Sequence, residues 1–170
     1  MARHPAIVHW REIENPKAWQ YDHHDETMGH NAPFGRFFGL ARIGIHHERL
    51  LPGRRTSFPH AERTEEEFVY VISGTPDVWL DGVLHRLGPG DGVGFPAGTG
   101  LAHSFINNSE AEVELLVIGD KSRADNQIIY PVNPERKAYH ADWREDAPAH
   151  DLGGHDGLSA ARRAEVLARK

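Results

Sequence analysis

The chain has 170 residues, 39% hydrophobic and 26% charged, with a formal charge of −6; that is the make-up of one globular domain with a sizeable core, without the basic face a nucleic-acid-binding protein needs. It contains no cysteine, which excludes disulfides, thiolate metal sites and cysteine nucleophiles; with 13 histidines, any metal centre must be built from His, Asp and Glu. The opening MARHPAIVHWREIENPKAW lacks the apolar core of a secretory signal, and no run reaches membrane-spanning length. A cytoplasmic protein is expected, with neither nucleic acid nor membrane as partner.

Residues 1–36 read as an irregular arm, with a short helix expected to start at Pro16 of NPKAW. Strand signals follow. RFFGLARIGIHHERL is rich in aromatic and aliphatic residues and stops at Pro52-Gly53, and EEFVYVIS is closed by Gly74. In DVWLDGVLHRL, Asp81-Gly82 sits between two short strands as a two-residue hairpin turn. GPGDGVGFPAGTG is a set of turn signals around one short strand, and LAHSFIN and EVELLVIGD complete the series. Many short strands with Gly/Pro turns predict an all-β sandwich or barrel over residues 37–120. Residues 121–170 become polar and turn-rich, a C-terminal extension packed on the barrel, ending in a helix capped by Ser159.

Alternation along a strand puts residues i and i+2 on one face. His60 and Glu62 can therefore both point inward. Glu67 shares a face with Val69 and Val71, an expensive place for a carboxylate unless a charge compensates it, and a divalent cation is the obvious candidate. His103, among apolar residues on another strand, can close such a site from across the barrel. Adjacent His46 and His47 must face opposite ways, so they cannot act as a pair; with His30 and His85 they read as surface or partly buried polar residues. His140, His150 and His155 read as exposed, and Glu65 and Glu66 as solvated turn charges. Trp79, Phe105 and Tyr70 read as core or dimer packing, and Asn107 as a residue that satisfies backbone groups at a strand end. GVGFPA matches a loose dinucleotide-binding pattern, but Pro96 and the lack of a following helix remove its meaning; HERLL lacks the second histidine of a helical zinc motif.

Two motifs in order resemble those of the cupin superfamily of small β-barrels. GRRTSFPHAERTEEEFVYVISG presents Gly53, His60, Glu62, Glu67 and Gly74 in the pattern G-x5-H-x-H-x4-E-x6-G, with the opening gap one residue longer. GDGVGFPAGTGLAHSFIN presents Gly90, Pro96, Gly98, His103 and Asn107 in the pattern G-x5-P-x-G-x2-H-x3-N, with two extra residues before His103. The resemblance implies a single jelly-roll-like β-barrel and a metal site at His60, Glu62, Glu67 and His103. The chain is also similar to bacterial single-domain cupins, some of them described as sugar-phosphate isomerases.

Glu62 stands where the family pattern has histidine. As a ligand it gives a two-His, two-carboxylate site; beside the metal it is a catalytic acid or base; turned outward it is a charge at the barrel mouth. If it is not a ligand, His60, Glu67 and His103 remain as the two-His-one-carboxylate set known from iron sites. Zinc, iron, manganese and nickel all suit these donors. A metal-dependent enzyme acting on a small polar molecule such as a sugar or sugar-phosphate is expected, isomerase-like, with an iron-dependent dioxygenase and a non-catalytic binding barrel as the other readings. Open sheet edges imply a homodimer.

Overall fold

The computed structural model describes residues 3–169. The arm is more ordered than its sequence suggests. Helix α1 spans Trp10–Ile13, six residues before the expected start at Pro16, because His9 and Glu12 form a reciprocal capping box that starts a helix there. Strand β1 (His30–Ala32) follows, then the single turn α2 (Phe34–Phe37). The strand signals resolve into β2 (Ile43–Leu50), β3 (Ala61–Glu62), β4 (Glu67–Ser73), β5 (Asp77–Leu80), β6 (Val83–Arg86), β7 (Gly92–Phe95), β8 (His103–Ile106) and β9 (Val113–Asp120). The extension adds β10 (Ile128–Ile129), a 3-10 turn at Pro134–Tyr139 and helix α3 (Ala160–Ala168). Ser159 caps α3 as expected, its hydroxyl accepting from the Arg162 amide at 3.1 Å.

The strands form two facing layers. One is a five-stranded sheet in the order β1-β2-β9-β4-β7, so the last residues of the arm belong to it. The other contains the sheet β6-β5-β8, continued through residues 55–60 to the pair β3-β10 by bridges Arg55–Ile106 and His60–His103. All strand pairs are antiparallel. Asp81 and Gly82 both have positive φ, 42° and 86°, as a two-residue hairpin turn requires. The Asp81 position suits Asp or Asn; at Gly82 an added Cβ would lie 2.3 Å from the Gly153 amide, because the extension crosses there.

Alternation then sorts the side chains. Leu50, Val69, Val71, Val113 and Leu115 from the first layer meet Val78 and Phe105 from the second in one buried core. The outer face of the second layer, where Trp79 and Ile106 lie, is covered by the extension through Ile129 and Val132, which is why all four residues of β8 are buried. The arm and extension also meet over Phe58 of the barrel in a second cluster, with Met28, Ile128 and Tyr130 packed against Trp19 and Tyr21. Of the core and dimer alternatives for Tyr70, the core is ruled out: with Phe68 and Ile72 it lies exposed on the outer face of β4. No helix among the described residues is long and apolar enough to cross a membrane.

Candidate functional site

At one end of the barrel the two layers touch through polar side chains. Glu67 begins β4 and points inward beside Val69; His103 begins β8 and points inward beside Phe105. Their contact joins the layers, with His103 Nε2 donating to Glu67 Oε1 at 3.1 Å. Phe95 stacks on the His103 imidazole at 3.4 Å between centroids and fixes its plane. His60 reaches the same place because its backbone pairs with that of His103, at 3.1 and 2.9 Å. The two rings then lie 4.8 Å apart.

The His60 ring is set in one form. Its Nδ1 lies 3.0 Å from the carbonyl oxygen of Phe58, which can only accept, so Nδ1 carries a proton. Burial, then the neighbouring His103, pushes its pKa down to about 4. The ring is therefore neutral near pH 7, with its lone pair on Nε2. Glu67 is opposed by burial, which favours its neutral form, but the hydrogen bond from His103, with His60 and His46 nearby, outweighs this and holds it below the usual carboxylate range.

Glu62, on β3, borders the same cleft as His60, Glu67 and His103, a space of about 10 Å³ that holds about one water molecule. Burial, followed by the carboxylates of Glu65 and Glu67, pushes Glu62 up to about 8. It also faces Glu65 and Asn126 at the barrel rim. Glu65 is not merely a solvated charge, since it accepts from the Arg123 amide at 2.5 Å.

Beyond the cleft lies a cavity of about 270 Å³, which shares His60, Glu62 and Glu67 with it. Trp19 and Tyr21 from the arm and Ile128 and Tyr130 from the extension wall it, and Glu48 of β2 points into it. Burial, then Glu67, pushes the Glu48 carboxyl up to about 8. His46 shares the inner face of β2 with Glu48, near enough for its charge to act on Glu67. His46 is partly buried, as the sequence allowed, but its place beside the site was not foreseen, and Glu48, Tyr21 and Tyr130 were missed. His47 faces outward, as the adjacent pair requires, but is buried under Trp10 at 4.2 Å between ring centroids. Asn107 does what its position suggested: its Nδ2 donates to the carbonyls of Leu50 and Ala111 at 2.8 and 2.7 Å. His150 and His155 are not idle surface residues, for His150 holds Asp81 and the His155 carbonyl accepts from Trp79 Nε1 at 2.8 Å.

Two antiparallel layers with inward His and Glu at one end are matched by the family model "Cupin domain" over residues 46–119. Residues 46–119 are a cupin domain. No protein of curated function matches the chain. Among solved structures, a cupin-superfamily sugar phosphate isomerase from Silicibacter pomeroyi is 31% identical with a TM-score of 0.58, over 60% of this chain and 64% of that one. A proposed sugar phosphate isomerase from Acidithiobacillus ferrooxidans is 36% identical with a TM-score of 0.57, over 61% and 65%. The chain thus spans just under two thirds of the length of each. The polyketide cyclase RemF from Streptomyces resistomycificus, 18% identical with a TM-score of 0.59 over 84% of this chain and 96% of that one, shares the fold.

The donors of the cupin domain fit a divalent cation in kind. His60 presents an unprotonated Nε2 beside a second imidazole and a half-buried carboxylate, a nitrogen and oxygen set that zinc, iron, manganese or nickel accepts. The Nδ1 bond to Phe58 is the second contact that metal-binding histidines need for orientation. In place, His103 and Glu67 are closed on each other, and among the described residues no three His, Asp or Glu side chains stand as a ready-made chelate. A cation there would displace the proton shared by His103 and Glu67.

Proposed function

We propose that this cupin is a metal-dependent enzyme acting on a small polar molecule such as a sugar or sugar-phosphate, with an isomerase-like proton transfer. The observation that carries the reading is that His60, Glu62, Glu67 and His103 border one cleft, and that three of them also line the adjoining half-open cavity. His60, Glu67 and His103 would hold a divalent cation, which supplies Lewis acidity toward a substrate carbonyl. Glu62 sits at the junction of cleft and cavity, where a carboxyl can take a proton from one carbon and return it to the next. Trp19, Tyr21 and Tyr130 exclude water from that exchange. The two sugar phosphate isomerase structures at 31% and 36% identity support the reaction class.

A second chemistry draws on Glu62 facing Glu65 and Asn126. Turned fully that way it leaves a two-His-one-carboxylate set, which suits iron and oxygen chemistry.

Metal content of the protein purified without added metal tests the reading, together with the variants His103→Ala and Glu62→His. Stoichiometric divalent metal is expected in the wild type and its loss in His103→Ala. A wild type that takes up no metal while Glu62→His does would return the protein to a non-catalytic binding barrel. With metal present, aldose–ketose exchange measured against oxygen consumption separates the two chemistries; Glu62→Gln is expected to lower exchange about 10²-fold or more while metal content holds.

A further inference from the structure

The cavity beside the cleft has a one-sided chemistry. Glu48, Glu62 and Glu67 turn three carboxyl groups toward it, and among the described residues no Lys or Arg lines it. The guanidiniums behind its aromatic wall do not line it, although Arg136 keeps an unpaired buried Nε. Arg55 is gripped by Glu26 at 2.6 and 2.8 Å. Arg136 lies 4.8 Å from the Tyr21 ring centroid and donates to the Asp22 carbonyl at 3.0 Å. A phosphoryl group brings between one and two negative charges at neutral pH and is ordinarily received by Arg, Lys or converging amides. None of the side chains around this cavity supplies such a cation. A divalent cation held on His60, Glu67 and His103 would keep one positive charge beyond that of Glu67 at the cleft end, while the Glu48 end of the cavity would still have no cationic side chain in its wall.

Glu48 adds a positive requirement. Its Oε2 is buried and has no hydrogen-bond partner. Buried polar atoms are nearly always paired, and a hydroxyl of a bound molecule would pair this one. Thr56 and Ser57 bring further hydroxyls to the same wall, and Trp19, Tyr21, Phe105 and Tyr130 offer ring faces. At about 270 Å³ the space lies just under the range of drug-sized pockets, enough for a single ring with its substituents.

We propose that the cavity admits an uncharged, hydroxyl-bearing ring compound, anchored by Glu48 and packed on the arm and extension rings, and that it excludes phosphorylated counterparts. This rests on the cavity being the substrate site of the proposed enzyme, and it selects the unphosphorylated side of the substrate class named there.

The test is calorimetric titration with matched pairs: xylose and xylose 5-phosphate, fructose and fructose 6-phosphate, myo-inositol and inositol monophosphate. Each pair is run on zinc-loaded and on chelator-treated protein, with metal content measured on the same samples. At least one neutral member is expected to bind, and more tightly than its phosphate by about tenfold or more. Glu48→Gln is expected to weaken the neutral member by about tenfold, and Glu48→Lys to narrow or reverse the preference. Tighter binding of the phosphorylated members to the wild type overturns the proposal, as does failure of every neutral member to bind, and neither outcome depends on a variant folding. Neutral binding by protein that takes no metal would sink the enzyme reading and leave the ligand class standing. Metal uptake with preference for the phosphates would do the reverse.

Discussion

Glu26 and Arg55 form the most buried ion pair described, with side chains 4% and 1% exposed and two hydrogen bonds between them. Arg55 also donates to the Gly157 carbonyl at 2.7 Å, so one guanidinium ties together the arm, the barrel and the extension. Leaving such a charge without its partner costs about 3–5 kcal/mol, whereas replacing both members by apolar residues costs far less. Glu26→Gln is therefore expected to lower unfolding free energy by about that amount in urea titration, and Glu26→Leu with Arg55→Met to recover most of it. A loss under about 1 kcal/mol would show that the pair is not desolvated in solution. Nothing in the sequence pointed to this pair, since its members are 29 residues apart and neither belongs to a motif. His60, Glu62, Glu67 and His103, in contrast, were legible as neighbours, because strand alternation and motif spacing both fix which face a residue takes.

Strand β2 shows where alternation misleads. Its apolar residues Ile43 and Ile45 face outward, while the polar His46 and Glu48 face the barrel interior. The outer face is acceptable for Ile45 because α2 packs directly on it, a Cβ at Gly35 lying 2.9 Å from the Ile45 amide, whereas Ile43 stays exposed. The inner face accepts polar groups because a cavity, not a packed core, lies beneath it. The extension obeys a local rule that is easier to test. His150 offers Nδ1 to Asp81 Oδ2 at 2.5 Å and Nε2 to the Thr99 carbonyl at 3.0 Å, so both nitrogens donate and the protonated ring is favoured. The hydrogen bond to Asp81, then that to Thr99, raises its pKa above the ordinary 6.5. A raised value means that the fastening is complete below about pH 6.5 and weakens as pH climbs through the folded-state value. Hydrogen exchange over residues 147–153, corrected for the intrinsic rate, is expected to quicken above neutral pH in the wild type. His150→Gln should exchange quickly at every pH; a flat profile in the wild type would count against the charged form.

On the scale of the whole molecule, the outer face of β4 presents an exposed apolar surface. Phe68, Tyr70 and Ile72 are 43%, 40% and 40% exposed, and Gly94 and Gly92 lie opposite the first two and keep the surface flat. Beside them an open groove of about 420 Å³ runs past Ile43, Ile118 and Gly119. A second copy of the chain on this face would make the homodimer anticipated from the sheet edges. Sedimentation is then expected to give twice the mass of one chain, and Phe68→Glu with Tyr70→Glu to give a folded monomer; a monomeric wild type would reject the dimer. The cavity carries a different consequence. The cupin domain at residues 46–119 supplies its floor, but Trp19, Tyr21, Ile128 and Tyr130 lie outside that span and supply its walls. What the barrel can grip and what it can admit are thus written in separate stretches of chain. Grafting the arm and extension of one such protein onto the barrel of another would exchange clientele while leaving His60, Glu67 and His103 untouched, a route by which new selectivity can arise without rebuilding the centre.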